Sequence, residues 1–202
     1  MLLSPDSKLQ DFVQLKEDVF SEELCNELIK EYENDDWKRA VTFSGRPNVR
    51  TNQQLEISFL ELLNKNQRRH ELDHIIFKHM ENLAAMYAKQ FQGHLRYDQD
   101  GGYTLLKYQK GEYYQEHCDD STKVMFEENG VPVASTLTKR KITIIIQLND
   151  DFSGGGLSFF DGKLKMPVKK GSALLFPSIF MFPHQALPVE EGTRYSLITW
   201  ID

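Results

Sequence analysis

The amino-acid sequence predicts a mainly β fold supported by N-terminal helices, an α+β arrangement of the sandwich or jelly-roll type. Two features carry that reading. Apolar residues follow a helical period up to about residue 90 and an alternating one after Gly93. The alternating segments are short, evenly spaced and separated by Gly, Asn and Asp, as in jelly rolls.

Residues 11–16 alternate as a short strand. Ser21 stands before Glu22, Glu23 and Leu24, a helix-start signal, and Leu24, Leu28, Ile29 and Tyr32 continue at helical spacing. Residues 41–54 are polar, contain Gly45 and Pro47, and read as a loop that admits a strand. A second helix runs from about Glu71 to Gln90, with a stripe of Leu72, Ile75, Ile76, His79 or Met80, Leu83, Met86 and Tyr87. Strands are expected at 103–108, 141–148, 156–160, 172–176 and 193–200. Residues 120–138, with Glu127, Glu128, Asn129, Gly130 and Pro132, read as a mobile loop. It and the segment around 44–54 are expected to flank the site described below. The run Gly154-Gly155-Gly156 and the pair Lys170-Gly171 mark sharp turns beside core strands.

The 202 residues suit one domain spanning 1–202, with helical support over about 1–95 and the β core over about 96–202. No apolar run is long enough to span a bilayer. The opening Met1-Leu2-Leu3-Ser4-Pro5-Asp6 lacks the basic and apolar regions of a signal peptide, so a cytoplasmic location is expected. A net charge of -6 argues against a nucleic-acid partner, and Lys139-Arg140-Lys141 reads as a solvated strand entrance. Two distant cysteines, Cys25 and Cys118, make neither a disulfide scaffold nor a cysteine-based zinc site.

The chemistry concentrates in Tyr114-Gln115-Glu116-His117-Cys118-Asp119. On a strand, His117 and Asp119 point to the same face, and Cys118 points to the opposite layer. One distant histidine added to this pair gives two imidazoles and a carboxylate on one face of an octahedron. That set is diagnostic of non-haem Fe(II) oxygenases, whose open positions take a keto acid and O2. His70, His74, His79 and His94 lie in or beside the second helix. His70 and His74 have an i, i+4 zinc spacing, but Arg68, Arg69, Glu71 and Asp73 suggest a charged exposed face there. His184 follows the apolar run Phe180-Met181-Phe182-Pro183. Arg194 comes ten residues later, on an alternating strand where Arg194, Ser196, Ile198 and Trp200 share one face. An inward Arg194 needs an anion, and the distal carboxylate of 2-oxoglutarate matches a guanidinium in bidentate fashion. The alternative is an outward Arg194 paired with Glu190 or Glu191.

With these motifs in order, the sequence resembles the prolyl-hydroxylase-type 2-oxoglutarate oxygenases, from about Leu105 to Asp202. The resemblance rests on Tyr108-x-x-Gly111-x-x-Tyr114-x-x-His117-x-Asp119 and on Ile144-Ile145-Ile146-Gln147-Leu148-Asn149-Asp150-Asp151. It continues through Gly154-Gly155-Gly156-Leu157-Ser158-Phe159, Lys170-Gly171-Ser172-Ala173-Leu174-Leu175-Phe176-Pro177, and His184 with Arg194 and Trp200. It implies a double-stranded β-helix, iron held by His117, Asp119 and His184, and 2-oxoglutarate anchored by Arg194. It also implies co-substrate contacts from Tyr108 and Ser196, with Trp200 lining the pocket. Many relatives carry Tyr where this chain has Gln147, whose amide is assigned the same contact. Collagen-type relatives carry Lys where Arg194 stands, so the likeness is to the arginine branch. Arg50-Thr51-Asn52 resembles the Arg-Thr-Ser segment at the substrate mouth of prolyl hydroxylases, with Arg50 as a substrate contact or simply a surface residue.

The implied reaction converts 2-oxoglutarate and O2 to succinate and CO2 and hydroxylates a C–H bond, with ascorbate in support. The implied substrate is a prolyl residue of a peptide or protein; the alternative is a free amino acid or other small molecule. A non-catalytic jelly-roll module holding a structural metal has no use for Arg194. A nucleobase demethylase conflicts with the acidic charge.

Overall fold

The structure is a computed structural model that describes residues 4, 6–40, 49–128, 131–167 and 169–202. A 3-10 turn at Leu9–Phe12 precedes β1 (Gln14–Lys16), so the strand expected over 11–16 occupies only its second half. α1 (Glu22–Tyr32) begins where Ser21 Oγ accepts a hydrogen bond from the Leu24 amide. β2 (Lys38–Arg39), β3 (Gln53–Glu56) and the one-turn helix α2 (Leu60–Leu63) follow; residues 41–48 of the expected loop lie outside the described residues.

α3 (Gln67–Lys89) starts four residues earlier than the apolar stripe suggests, because Asn66 caps it by accepting from the Arg69 amide at 2.9 Å. Leu72, Ile76, Met80, Leu83 and Tyr87 are buried as expected, whereas Met86 is exposed. Arg69 corrects the expectation of a charged outer face. It is buried, stacks on Tyr32, and pairs with Glu31 at 2.7 Å and Asp35 at 2.6 Å, tying α3 to α1.

The β half contains β4 (Thr104–Tyr108), β5 (Tyr114–His117), β6 (Ser121–Glu128), β7 (Val131–Lys139) and β8 (Ile142–Gln147). After these come β9 (Ser153–Gly154), β10 (Leu157–Phe159), β11 (Leu164–Met166), β12 (Ala173–Pro177), β13 (His184–Ala186), β14 (Val189–Glu191) and β15 (Arg194–Ile201). A major sheet runs β1-β12-β8-β15-β4-β3-β2, and a minor sheet runs β11-β10-β13-β5. Together they form the double-stranded β-helix. The loop expected at 120–138 is instead a two-stranded ribbon of β6 and β7, paired from Ser121↔Lys139 to Glu128↔Val131. Its β-branched residues alternate with others, and of the polar residues that suggested a loop, Glu127 and Glu128 end β6.

The central strands bury both faces, which is why β8 reads as an unbroken apolar run. Ile142, Ile144 and Ile146 face the helices together with Leu28, Leu72, Ile76, Leu197 and Ile201. Ile145 and Ile198 face the minor sheet, against Phe159, Phe176 and Phe182. One side of the major sheet thus rests on a helical support, and the other forms the wall of a cavity.

Gly171 ties the segment between β1 and α1 to the end of β8. Its carbonyl accepts from the amides of Val19 and Phe20, its amide donates to Gln147 O, and its φ is +76°. A Cβ there would press onto the Phe20 carbonyl oxygen. Gly162 has the same hand of backbone, φ +79°, with nothing within 4 Å of an added Cβ. Gly162→Ala should therefore cost only the left-handed strain of about 1–2 kcal/mol. Gly171→Ala should cost clearly more, lowering Tm by a further few degrees at about 2–4 °C per kcal/mol. Thermal unfolding of the two variants checks this, and equal melting shifts would deny Gly171 its packing role.

Candidate metal centre and co-substrate cavity

β5 and β13 are antiparallel neighbours, and their register puts His117 opposite His184 with ring centroids 4.3 Å apart. His117 is the last residue of β5, and Asp119 lies just beyond the strand. The side chains nevertheless converge: one ligand atom from each of His117, Asp119 and His184 falls within 4.8 Å of the others. Asp119 Oδ1 is 3.5 Å from His117 Nε2, and Oδ2 is 3.5 Å from His184 Nε2.

Hydrogen bonding sets the imidazole tautomers. His117 Nδ1 contacts Gln115 O at 2.8 Å, and His184 Nδ1 contacts Phe182 O at 3.1 Å. A carbonyl oxygen only accepts, so each Nδ1 carries the proton and each Nε2 lone pair is left for a metal. Burial lowers the pKa of His184, against the pull of Asp119 in the other direction. Burial alone would raise the Asp119 carboxyl, but the positive charge that His184 and His117 carry when protonated, helped by the Trp200 indole N–H, outweighs it and holds the group well below the usual carboxylate range. Aromatic rings fix the imidazoles further. Tyr114 stacks on His117 at 3.5 Å, and Phe176 and Phe159 flank His184 at 4.7 and 5.5 Å. His70, His74, His79 and His94 join no such group among the described residues.

The same three side chains line a cavity of about 290 Å³ that also receives Tyr108, Arg194, Ser196 and Trp200. Arg194 points inward, as the alternation of β15 requires, and is only 2% exposed. Its Nε donates to Gln147 Oε1 at 3.0 Å, and its guanidinium lies 5.2 Å from the Tyr108 ring centre. It makes no salt bridge among the described residues, so the outward pairing with Glu190 or Glu191 does not occur. Burial depresses its pKa. Ser196 Oγ is buried without a hydrogen-bond partner. Such a group is normally satisfied, so together with the guanidinium, which has no carboxylate partner among the described residues, it fits an anionic ligand.

Two expectations change. Gln147 lies behind the cavity rather than in it. Its Nε2 donates to Asn149 O and Tyr195 O, and its Oε1 is taken by Arg194, so the amide orients the guanidinium and has no donor left for a co-substrate. Cys118 borders the cavity, and its Sγ donates to the carbonyl of Phe180, a residue outside the cavity lining, at 3.3 Å. Arg140 is no solvated entrance residue: its guanidinium stacks 3.6 Å from the Trp200 ring and lines the cavity. Arg50, the suggested mouth residue, lines it too, lying 4.7 Å above Tyr114 with Nε donating to Asn52 Oδ1. The basic cluster around Arg140 was visible in the sequence, but nothing local singled out its middle member.

The fold and these residues define a β-helix in which two histidines and a carboxylate that could hold a metal share one cavity with a buried arginine. Residues 103–202 match the model of the 2OG-Fe(II) oxygenase superfamily, and this part of the chain belongs to that superfamily. It is 34% identical over 100 residues to a PKHD-type hydroxylase of Idiomarina loihiensis, covering 48% of this chain and 40% of that protein. It is 26% identical over 193 residues to procollagen-lysine,2-oxoglutarate 5-dioxygenase 1 of Mus musculus, covering 91% of this chain and 23% of that protein. The chain thus spans less than half the length of these curated relatives. In fold it is prolyl-hydroxylase-like. It superposes with a TM-score of 0.71 on a Trichoplax adhaerens prolyl hydroxylase in complex with a hypoxia-inducible-factor oxygen degradation domain peptide fragment. That match has 15% identity and covers 94% of this chain and 83% of the other. The superfamily implies Fe(II), 2-oxoglutarate and O2. Within the described residues no helix is long and apolar enough to cross a membrane.

Arg194→Leu separates stability from binding. Removing a buried unpaired charge should leave the ligand-free protein at least as stable. Losing one side of a buried charge pair should weaken 2-oxoglutarate by about 2–5 kcal/mol, or about 30-fold or more. Metal uptake should be retained. Calorimetric titration of the Mn(II)-loaded variant checks this, and an unchanged 2-oxoglutarate affinity would refute the anchor.

Proposed function

We propose that this chain is an Fe(II)- and 2-oxoglutarate-dependent hydroxylase acting on a prolyl residue of a peptide or protein. The observation that carries the oxygenase reading is the buried Arg194, which has no carboxylate partner yet faces the cavity that gathers His117, Asp119 and His184. A structural metal site has no need of such a cation.

In this reading His117 Nε2, His184 Nε2 and an Asp119 oxygen hold the metal. Bound there, Fe(II) supplies the oxidative decarboxylation of 2-oxoglutarate by O2, with succinate and CO2 as products and a substrate C–H bond hydroxylated. The protein's part is binding and orientation. Arg194 offers its two terminal nitrogens to the distal carboxylate, with Gln147 fixing the plane of the fork. Ser196 and Tyr108 present hydroxyl groups on the same side. Leu106, Ile145, Leu157 and Ile198 give the cavity apolar walls that limit water around these charges. Arg50 and Arg140 also line the cavity and are available to orient a substrate.

A polypeptide substrate is supported by the hydroxylase relatives and by the peptide-bound prolyl hydroxylase of similar fold. The likeness to a procollagen-lysine dioxygenase over 91% of this chain favours a lysyl residue as the second reading. A free amino acid or other small molecule is the remaining alternative.

Purified protein with Fe(II), 2-oxoglutarate and ascorbate should form succinate slowly alone and faster with substrate. A proline-containing peptide should stimulate more than a lysine-containing peptide or free proline, and mass spectrometry should find one added oxygen on it. Stronger stimulation by the lysyl peptide or by a free amino acid would replace the prolyl assignment. No succinate from metal-loaded protein under any condition would replace the oxygenase by a binding module.

A further inference from the structure

Asp119 differs from its histidine partners in lying outside any strand, so no sheet ladder sets the plane of its carboxylate. A side-chain relay does so instead. Asp119 Oδ2 accepts a hydrogen bond from Thr143 Oγ1 at 3.0 Å, and Thr143 Oγ1 lies 2.8 Å from Ser178 Oγ. All three side chains are buried, Thr143 and Ser178 almost completely.

Counting protons gives the relay a direction. An ionised carboxylate only accepts, and a threonine hydroxyl has a single proton, so Thr143 must donate to Asp119. Ser178 must then donate to Thr143. Each bond polarises the next, which strengthens the hold on Oδ2. The donor is also well placed. Thr143 sits in central strand β8, paired with Phe176 of β12 and Trp200 of β15. The backbone of Ser178 is held by its amide donating to Lys141 O.

We propose that Thr143, backed by Ser178, is a positioning residue that restricts Asp119 to one-oxygen metal ligation. A carboxylate binds metals through one oxygen or both. With Oδ2 engaged by Thr143, Oδ1, on the His117 side, is the oxygen left for the ion. Two-oxygen ligation would take one of the open positions that a bidentate keto acid and O2 need. The proposal rests on the metal reading above and adds what keeps the third protein ligand from closing the site.

Thr143→Val keeps the side-chain shape and removes the hydroxyl. The test uses protein saturated with Mn(II), with labelled water broadening the metal's EPR signal to count exchangeable waters. Thr143→Val is expected to hold one fewer water than wild type and to bind 2-oxoglutarate about 10–100-fold more weakly, the range for losing a group that orients a metal ligand. Thr143→Ser should restore both. Equal water counts and equal 2-oxoglutarate affinities in Thr143→Val and wild type overturn the proposal, whatever happens to turnover. If Thr143→Val does not fold, Ser178→Ala decides: a few-fold weaker 2-oxoglutarate binding supports the relay, and unchanged binding overturns it. Failure of the wild-type chain to take up Mn(II) would sink the metal reading itself, which distinguishes it from failure of the relay alone.

Discussion

The burial of Arg194 is the constraint on which the rest of the architecture depends. A guanidinium taken out of water without an anion is strongly unfavourable, and only a surrounding structure with stability to spare can hold it. Here the cost is spread over β15, whose alternation fixes the inward direction, and Gln147, which accepts from Nε. Gln147 is itself immobilised by two backbone carbonyls, one of them on Tyr195, the neighbour of Arg194. The charge is therefore pre-oriented. A carboxylate entering the cavity would meet a fork already in place, and little of its binding energy would be lost to ordering the protein.

The metal-ligand group shows the same economy of motion. The two imidazoles are cross-strand neighbours, their Nδ1 protons are tied to carbonyls two residues earlier in the chain, and rings pack on their faces. Tautomer and orientation are thus set before any ion arrives. Strand pairing places the histidines, and side-chain hydrogen bonds place Asp119. The sheet supplies coarse position and the hydroxyl relay fine position.

Much of this was legible in the chain because it depends on local periodicity. Alternation along 194–200 is enough to turn Arg194, Ser196 and Trp200 one way. His117-x-Asp119 needs only a two-residue spacing, although the strand that justifies it ends at His117. The features that escaped reading are those whose reason lies far away in sequence. Gln147 has the chemistry of a ligand contact, and only the position of the Tyr195 carbonyl shows that its donors are spent. Arg140 looks like its lysine neighbours until Trp200 stacks beneath it. Arg69 looks exposed until Glu31 of α1 and Asp35 just beyond it close on it. The ribbon of β6 and β7 was hidden by the run of polar residues in the sequence around 127–132. In each case a composition-based reading lost to a tertiary partner.

The N-terminal half does more than support the sheet from behind. β3 extends the major sheet past β4, and the chain entering it brings Arg50 across to Tyr114 as an isolated bridge partner. The Arg50 guanidinium rests on the Tyr114 ring, and Tyr114 rests on His117. Cation, phenol and imidazole form one continuous stack from a residue beside the 41–48 segment to the metal-ligand group. Trp200 with Arg140 repeats the motif from the other half of the chain, again with a guanidinium on an aromatic face. Both cations are held by ring faces, and neither makes a salt bridge among the described residues, so each keeps hydrogen-bond donors for an incoming group. The rim of the cavity is built from two arginines steered by aromatics, one from each half of the chain. A group that bridged both would draw on residues from each half of the chain.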